Sequence, residues 1–253
     1  LHQGIYKIKK AAQIADKTYD FTVACPEIAA EAKAGQFLHI RCGEFTLRRP
    51  ISICALSDDR TAIRIVFEVR GEGTVWLAAR GAGERLDIMG PLGNGFPDLD
   101  GRILLVGGGI GTPPLLQTAK EHSGKVDAIL GFRGKEAVIL EADFRAACAA
   151  VHVTTDDGSY GEKGFTTNVM PRLCAQKAYD AVFACGPQAM LRGIAEIAAQ
   201  RSVPCYVSLE ERMACGVGAC LVCVCAVQKD GEAAYRPVCE DGPVFRAEEI
   251  IWE

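Results

Sequence analysis

Positive charge is not in excess in this chain: 28 Lys and Arg stand against 32 Asp and Glu, for a formal net charge of −4. No basic field exists to hold nucleic acid or an anionic membrane surface, which excludes those function classes. Long apolar runs are missing as well. Each is broken by Gly, Gln or a charge well before the ~18 residues that a bilayer span requires. The opening LHQGIYKIKK is basic but has no apolar stretch behind it, so no secretory signal is expected, and it starts without Met. Histidine is scarce: His2, His39, His122 and His152 are the whole set. With 49% apolar and 24% charged residues, the 253-residue chain has the composition of folded material and room for two or three domains. Disorder, collagen, coiled coil and secreted mini-protein are excluded.

Cysteine, by contrast, is abundant. Of twelve, Cys25, Cys42, Cys54, Cys148, Cys174, Cys185 and Cys205 lie singly, whereas Cys215, Cys220, Cys223, Cys225 and Cys239 crowd the C-terminal segment. Scattered thiols plus one dense group, without an export signal, argue for a metal site in a reducing compartment rather than a disulfide framework. A cytoplasmic location is expected.

Patterning divides the chain into three. Over 1–98, short apolar or alternating runs (Thr18–Val23, Gln36–Arg41, Ile51–Cys54, Thr61–Val69, Glu84–Met89) are separated by Asp, Gly and Pro, and a short helix is expected over Val75–Arg80. Regularly spaced strands predict a small antiparallel β-barrel. The run Gly90–Pro97 reads as loop. Over 99–208, strands at Arg102–Val106, Val126–Gly131, Val151–Thr154, Ala181–Cys185 and Pro204–Ser208 alternate with helices. These are expected at Thr112–Lys120, Glu136–Ala150, Asn168–Gln176 and Gln188–Gln200. That alternation predicts a Rossmann-like parallel α/β domain. Residues 209–253 are too few for an independent core and form a small subdomain bearing the cysteines.

The spacing Cys215-x4-Cys220-x2-Cys223, with Cys239 fifteen residues on, is that of plant-type two-iron, two-sulfur sites. Gly216 and Gly218 let such a loop bend and bring N–H groups toward sulfur. Cys239 is expected to return after a hairpin turn at Asp230-Gly231. Zinc usually takes C-x2-C pairs. A Rieske centre needs two imidazoles, and all four histidines precede the segment. A dithiol at Cys220 and Cys223 would leave Cys215 and Cys239 unexplained. Cys225 reads as a core thiol.

Two further sites are nucleotide-like. In Arg49-Pro50-Ile51-Ser52, a guanidinium and a nearby hydroxyl suit a pyrophosphate and a flavin ring edge. Glu68-Val-Arg-Gly-Glu-Gly73-Thr74 supplies a glycine at a helix start, where N–H groups favour phosphate. The run Gly107-Gly108-Gly109-Ile-Gly111-Thr-Pro-Pro follows a strand and opens a helix, as a dinucleotide loop does, although Thr112 replaces the last glycine. Some twenty residues on stands Arg133 rather than an acid, which leaves NAD and NADP both open. Cys185-Gly186-Pro187 ends a strand where ligands approach an open sheet, or is a buried thiol and a turn.

Taken in order, RPIS, the Gly-Thr helix start, GGGIG-x-PP, CGP and a terminal ferredoxin-like cysteine loop closed by Cys239-Glu-Asp-Gly-Pro243 span nearly the whole chain. It resembles the ferredoxin–NADP reductase superfamily, and within it the electron-transfer subunits of class B dihydroorotate dehydrogenases. Similar sulfide dehydrogenase and transhydrogenase subunits tend to carry Asp at the position of Cys215. The resemblance implies FAD on Arg49, Pro50, Ile51, Ser52, Val66, Phe67, Glu68, Gly73 and Thr74. It implies NAD near Gly107, Gly108, Gly109, Gly111, Cys185, Gly186 and Pro187, and a [2Fe–2S] cluster on Cys215, Cys220, Cys223 and Cys239, with Cys225 as minor rival for the third ligand. It also implies an FMN-containing catalytic partner in a two-plus-two heterotetramer of pyrimidine biosynthesis, with no catalytic acid or base on this chain. Two alternatives stand beside it: a separate NAD(P)H:ferredoxin-type reductase, and a non-enzymatic nucleotide-binding module with a structural zinc.

Overall fold

The computed structural model describes residues 1–229 and 231–252, so Asp230 of the expected hairpin turn lies outside the described residues. The barrel strands are β1 (His2–Ala15), β2 (Thr18–Ala24), β3 (Phe37–Arg41), β4 (Arg49–Leu56), β5 (Ala62–Glu68) and β6 (Arg85–Leu92). Short helices α1 (Pro26–Glu31) and α2 (Glu72–Ala78) interrupt them. The strands pair antiparallel in the order β1-β2-β5-β4-β3-β6 and close through β6 on β1. Period-two alternation explains the closure. Leu38 and Ile40, Ile51 and Ile53, Ile63, Ile65 and Phe67 point inward with Ile8, Phe21 and Val23.

Two barrel elements depart from the sequence expectation. β1 was not expected as a strand because its exposed positions are mostly Lys and Gln and only Ile8 is fully buried. β6 continues through Gly90-Pro91-Leu92, expected as loop, because its two neighbours each pair there: His2 opposite Gly90 and Phe37 opposite Leu92.

The second unit is a sheet of β7 (Ile103–Gly108), β8 (Val126–Phe132), β9 (Ala150–Thr155), β10 (Glu162–Lys163), β11 (Ala181–Cys185) and β12 (Cys205–Ser208). Its helices are α3 (Leu116–Glu121), α4 (Glu141–Ala147), α5 (Thr166–Gln176) and α6 (Gln188–Gln200). The strands run parallel in the order β10-β9-β8-β7-β11-β12. Ile103, Leu105, Ala128 and Leu130 face α3 and α4, whereas Leu104, Val106 and Ile129 face α5 and α6. Burial on both faces is why these strands read as continuous apolar runs. α3 begins later than expected: Gly109–Gly111 and Pro113–Leu115 form two 3-10 turns first, since adjacent prolines lack the N–H groups that an α-turn bonds. α4 is shorter than expected because Leu140 sits at φ +60, which stops a helix.

The cysteine segment adds a hairpin of β13 (Val224–Lys229) and β14 (Glu232–Pro237), then β15 (Val244–Arg246), which pairs antiparallel with β12 at the sheet edge. Phe37 and Leu92 of the barrel join Cys223, Val238, Cys239 and Phe245 in one apolar cluster. Asn94 ties the end of the barrel to this segment through bonds to the Glu240 and Asp241 carbonyls at 2.8 and 3.1 Å. Among the described residues no helix is long and apolar enough to cross a membrane.

Arg64 of β5 joins barrel to sheet. It bonds buried Asp20 through Nε and Nη2 at 3.1 and 2.9 Å, and Asp143 of α4 through Nη1 at 2.5 Å. Replacing it with Met strands the Asp20 carboxylate without its cation. Arg64→Met is expected to cost about 3 kcal/mol of stability, and Arg64→Met with Asp20→Asn distinctly less. Urea unfolding of the two variants checks this.

Candidate functional site

The sheet changes direction between β7 and β11: from β7 the chain winds outward to β8 and β9, then crosses back to β11 and β12. Such a reversal leaves a crevice at the carboxyl ends of the two strands, where nucleotides bind in open α/β sheets. Gly107–Gly111 and Cys185–Pro187, expected from sequence to hold a dinucleotide, flank this crevice, with Gly107 opposite Cys185 in register. Their backbones nearly touch. A Cβ at Gly111 would stand 2.5 Å from the carbonyl carbon of Cys185, so any side chain there forces the two loops apart.

Against this crevice the barrel sets a cleft of about 210 Å³. Its lining includes Arg49, Pro50, Ile51 and Ser52 of β4, Val66, Phe67 and Glu68 of β5, and Thr74 of α2. Cys185 lines it from the sheet. Gly73 lies just behind: a Cβ there would come within 2.7 Å of the Arg49 guanidinium carbon, so the glycine makes room for that side chain. Of the residues expected to hold a dinucleotide, Cys185 reaches this lining, together with Ile110 from within the Gly107–Gly111 run. Burial pushes the Cys185 thiol up to about 12, next to the Ser208 hydroxyl, so it stays protonated.

Sequence reading missed several lining residues. Phe37, Ile110, Ser208, Glu210 and Met213 complete the cleft, and Arg70 reaches across it to Glu210 at 3.6 Å. Apart from Ile110, which lies inside the Gly107–Gly111 run, none carries a local motif; Ser208, Glu210 and Met213 reach the cleft because β15 returns to β12 and carries the cysteine segment over the barrel. Asp157 was missed too. It sits just beyond β9, beside the end of β8, where its N–H donates to the Arg133 carbonyl at 3.3 Å. Its Oδ1 accepts from the N–H and hydroxyl of Ser159 at 2.8 and 2.7 Å, and those bonds hold its carboxyl below the usual range. A carboxylate from the neighbouring strand thus stands beside the end of β8. Thr-Asp-Asp-Gly after an apolar run was the available signal.

Cys223 and Cys239 are buried against Phe37, Cys215 and Cys220 are less buried, and the four fall into two pairs. Cys215 and Cys220 lie within hydrogen-bonding reach through sulfur, as do Cys223 and Cys239. Backbone N–H groups serve these sulfurs: Val217 to Cys215 at 3.4 Å, Gly218 to Cys239 at 3.1 Å and Cys239 to Cys223 at 3.4 Å. The Val217 bond brings the Cys215 thiol down to about 7, whereas burial pushes Cys239 up to about 12. Among the described residues no three His, Cys, Asp or Glu side chains converge on a single metal position. Two cysteine pairs served by N–H···S bonds fit a dinuclear iron–sulfur core better than one tetrahedral zinc. Cys225 packs at the margin of the Phe37 cluster, with burial raising its thiol to about 11.

One further group belongs here. His39 of β3 is fully buried on the face opposite Leu38 and Ile40, with its ring against the cysteine loop. Burial, then the Arg48 charge, brings its pKa down to about 4, so the ring is neutral.

Comparison with known proteins agrees with this geometry. Residues 210–251 match the iron–sulfur cluster binding domain of dihydroorotate dehydrogenase B. The dihydroorotate dehydrogenase B (NAD(+)) electron transfer subunit of Geobacillus kaustophilus (strain HTA426) is 45% identical over 248 residues, 94% of each chain. That of Streptococcus mutans serotype c is 43% identical over 234 residues, 89% of each. A solved chain of an NADH-dependent reduced ferredoxin–NADP oxidoreductase superposes with a TM-score of 0.89 at 33% identity, covering 98% of this chain and 90% of that one. The ferredoxin reductase of a carbazole 1,9a-dioxygenase, 20% identical with a TM-score of 0.68 over 80% of this chain and 67% of its own, shares the fold. With whole-length relatives at this identity, the chain belongs to the family of dihydroorotate dehydrogenase B (NAD(+)) electron transfer subunits.

Proposed function

We propose that the chain carries electrons between a dihydroorotate-oxidising partner subunit and NAD, through a [2Fe–2S] cluster and FAD bound here, in pyrimidine synthesis. The observation that carries this reading is the cleft where the β4–β5 residues face the switch-point crevice, with the pair Cys223 and Cys239 packed against its Phe37 wall. When bound, NAD exchanges two electrons at once as hydride, FAD handles them together or singly, and the cluster carries one.

This chain's residues bind and orient those groups. Arg49 offers a guanidinium to the FAD pyrophosphate, and Ser52 offers a hydroxyl to the ring edge. Pro50 and Ile51 continue that wall, and Val66, Phe67 and Glu68 form the wall beside it. The Thr74 hydroxyl accepts from the N–H groups of Arg70 and Gly71 at 2.9 and 3.1 Å and so fixes the turn that carries Gly73. Gly107, Gly108, Gly109 and Gly111 admit the dinucleotide backbone against Cys185, Gly186 and Pro187. Asp157 accepts from the ribose hydroxyls and repels a 2′-phosphate, which favours NAD over NADP. Cys215, Cys220, Cys223 and Cys239 bind the iron.

The partner reading draws on the surface around the exposed Cys220, where Val217, Leu221 and Val222 are bare at 41, 64 and 52% exposure. Apolar side chains at a metal-binding loop suit a docking face. The partner holds FMN and the orotate-forming base, two copies of each chain assemble, and the complex works in the cytoplasm. The likeness to the ferredoxin–NADP oxidoreductase chain keeps a second reading, transfer to a ferredoxin-type acceptor. Anaerobic co-purification separates the two: an FMN-containing partner supports the first, and a lone chain that reduces ferredoxin overturns it.

Purified anaerobically, the chain is expected to hold iron, sulfide and FAD in a ratio of about two to two to one; a colourless zinc protein overturns the assignment. Cys220→Ser should abolish transfer to the partner while NADH still bleaches the flavin at 450 nm, because hydride exchange does not pass through the thiolates. Asp157→Asn should narrow the preference for ADP-ribose over its 2′-phosphate by about tenfold, read by calorimetry.

A further inference from the structure

The outward face of β3 lies between the flavin-type strand and the cysteine loop, and one residue on it has no role in the reading above. Along β3 the side chains alternate: Leu38 and Ile40 enter the barrel core, while Phe37 joins Cys223 and Cys239 in the cluster beneath the thiols. His39 shares the Phe37 face and has no exposed surface. On one side it pairs in register with Pro50, the residue after Arg49. On the other its ring presses on the cysteine loop. A Cβ at Gly216 would stand 2.6 Å from His39 Nδ1, and Gly216 holds φ +75, so both the turn and the ring require glycine there.

Nothing in the barrel's packing calls for an imidazole at this point. Burying a polar ring is unfavourable unless its nitrogens are paired, and an aliphatic side chain would fill the same space. Yet neither Nδ1 nor Nε2 has a hydrogen bond of normal geometry. The groups that face the ring are the backbone at Cys215 and the backbone at Arg48. Arg48 is itself held fast, with Nη1 on the His39 carbonyl at 3.3 Å and Nη2 on both oxygens of Asp87 at 3.0 Å. One end of the ring therefore meets the first cysteine of the loop, and the other meets a braced residue next to the Arg49 clamp.

We propose that His39 is a positioning residue for electron transfer, whose neutral imidazole, buried between Gly216 of the cysteine loop and Pro50 of β4, fixes loop position and adds its single N–H to the donor field around the sulfurs. The proposal rests on the functional reading above. Hydrogen-bond donors near cluster sulfurs raise the reduction potential, and loop position sets the electron path. A purely structural imidazole would affect stability and nothing else.

The test uses the holo complex with His39→Leu and His39→Gln. In His39→Leu, iron and FAD contents and the rate of flavin reduction by NADH should stay within about twofold of wild type. The cluster, followed by electron paramagnetic resonance during an anaerobic redox titration, should become harder to reduce by about tenfold, or about 59 mV for one electron. Electron transfer from flavin to cluster should slow by a similar factor. His39→Gln, which keeps a donor and an acceptor, should recover at least half of both effects. A loaded His39→Leu complex with wild-type potential and transfer rate overturns the proposal, as does a His39→Gln complex no better than His39→Leu. If His39→Leu loses its iron, His39→Gln decides: a potential lowered by no more than half the shift expected for His39→Leu supports the proposal, and a larger drop overturns it. A wild-type complex without iron or flavin overturns the functional reading itself, a result distinct from a loaded wild type that its variants match.

Discussion

Burial of one five-residue strand from both sides is the constraint on which the rest of this molecule depends. β3 has Leu38 and Ile40 inside the barrel and Phe37 and His39 beneath the cysteine lobe. A β-strand presents its two faces independently, so a single element can belong to two cores at once. The flavin-type strand β4 pairs along one edge of β3, and β6, which Asn94 links to the lobe, pairs along the other. Separation between an organic two-electron site and an inorganic one-electron site is thereby set by covalent geometry and strand pairing, not by a flexible linker.

Charge is managed sparingly around this assembly. Arg49 lines the cleft, whereas the neighbouring Arg70 is engaged by Glu68 and Glu210. Cys185 stays neutral through burial, and N–H groups of the loop supply the positive ends of dipoles to sulfur. These are fixed, uncharged or internally compensated groups, as befits a protein that orients and tunes cofactors and leaves bond-making to them.

Much of this was legible in the sequence, and the exceptions have physical causes. Strands β7, β8 and β11 were readable because both faces are buried and the apolar run is unbroken. The cysteine spacing was readable because ligands to a compact core must come from a tight loop. β1 was not, because one wetted face made it look polar. The Phe37, Ser208 and Glu210 walls of the cleft were not, because they come together through the antiparallel return of β15 on β12, a long-range pairing with no local sign. Asp157 went unread because an acid was sought at the end of β8, whereas β9, one strand over, brings a carboxylate to the same place. His39 was counted among histidines too far upstream to matter, a judgement of distance along the chain that β3 reverses in space.

That same return of β15 has a consequence for the cysteine lobe. The lobe leaves the sheet after β12 and re-enters it at the very next position, so it is an excursion between two adjacent strands rather than a tail. Both its ends are pinned, and lengthening such an excursion carries an entropy cost that grows only slowly with chain length. Stripping the iron can therefore slacken the excursion while β12 and β15 stay zipped. The same architecture lets the lobe be rebuilt with other spacings or other ligands without disturbing the nucleotide-binding frame beneath it.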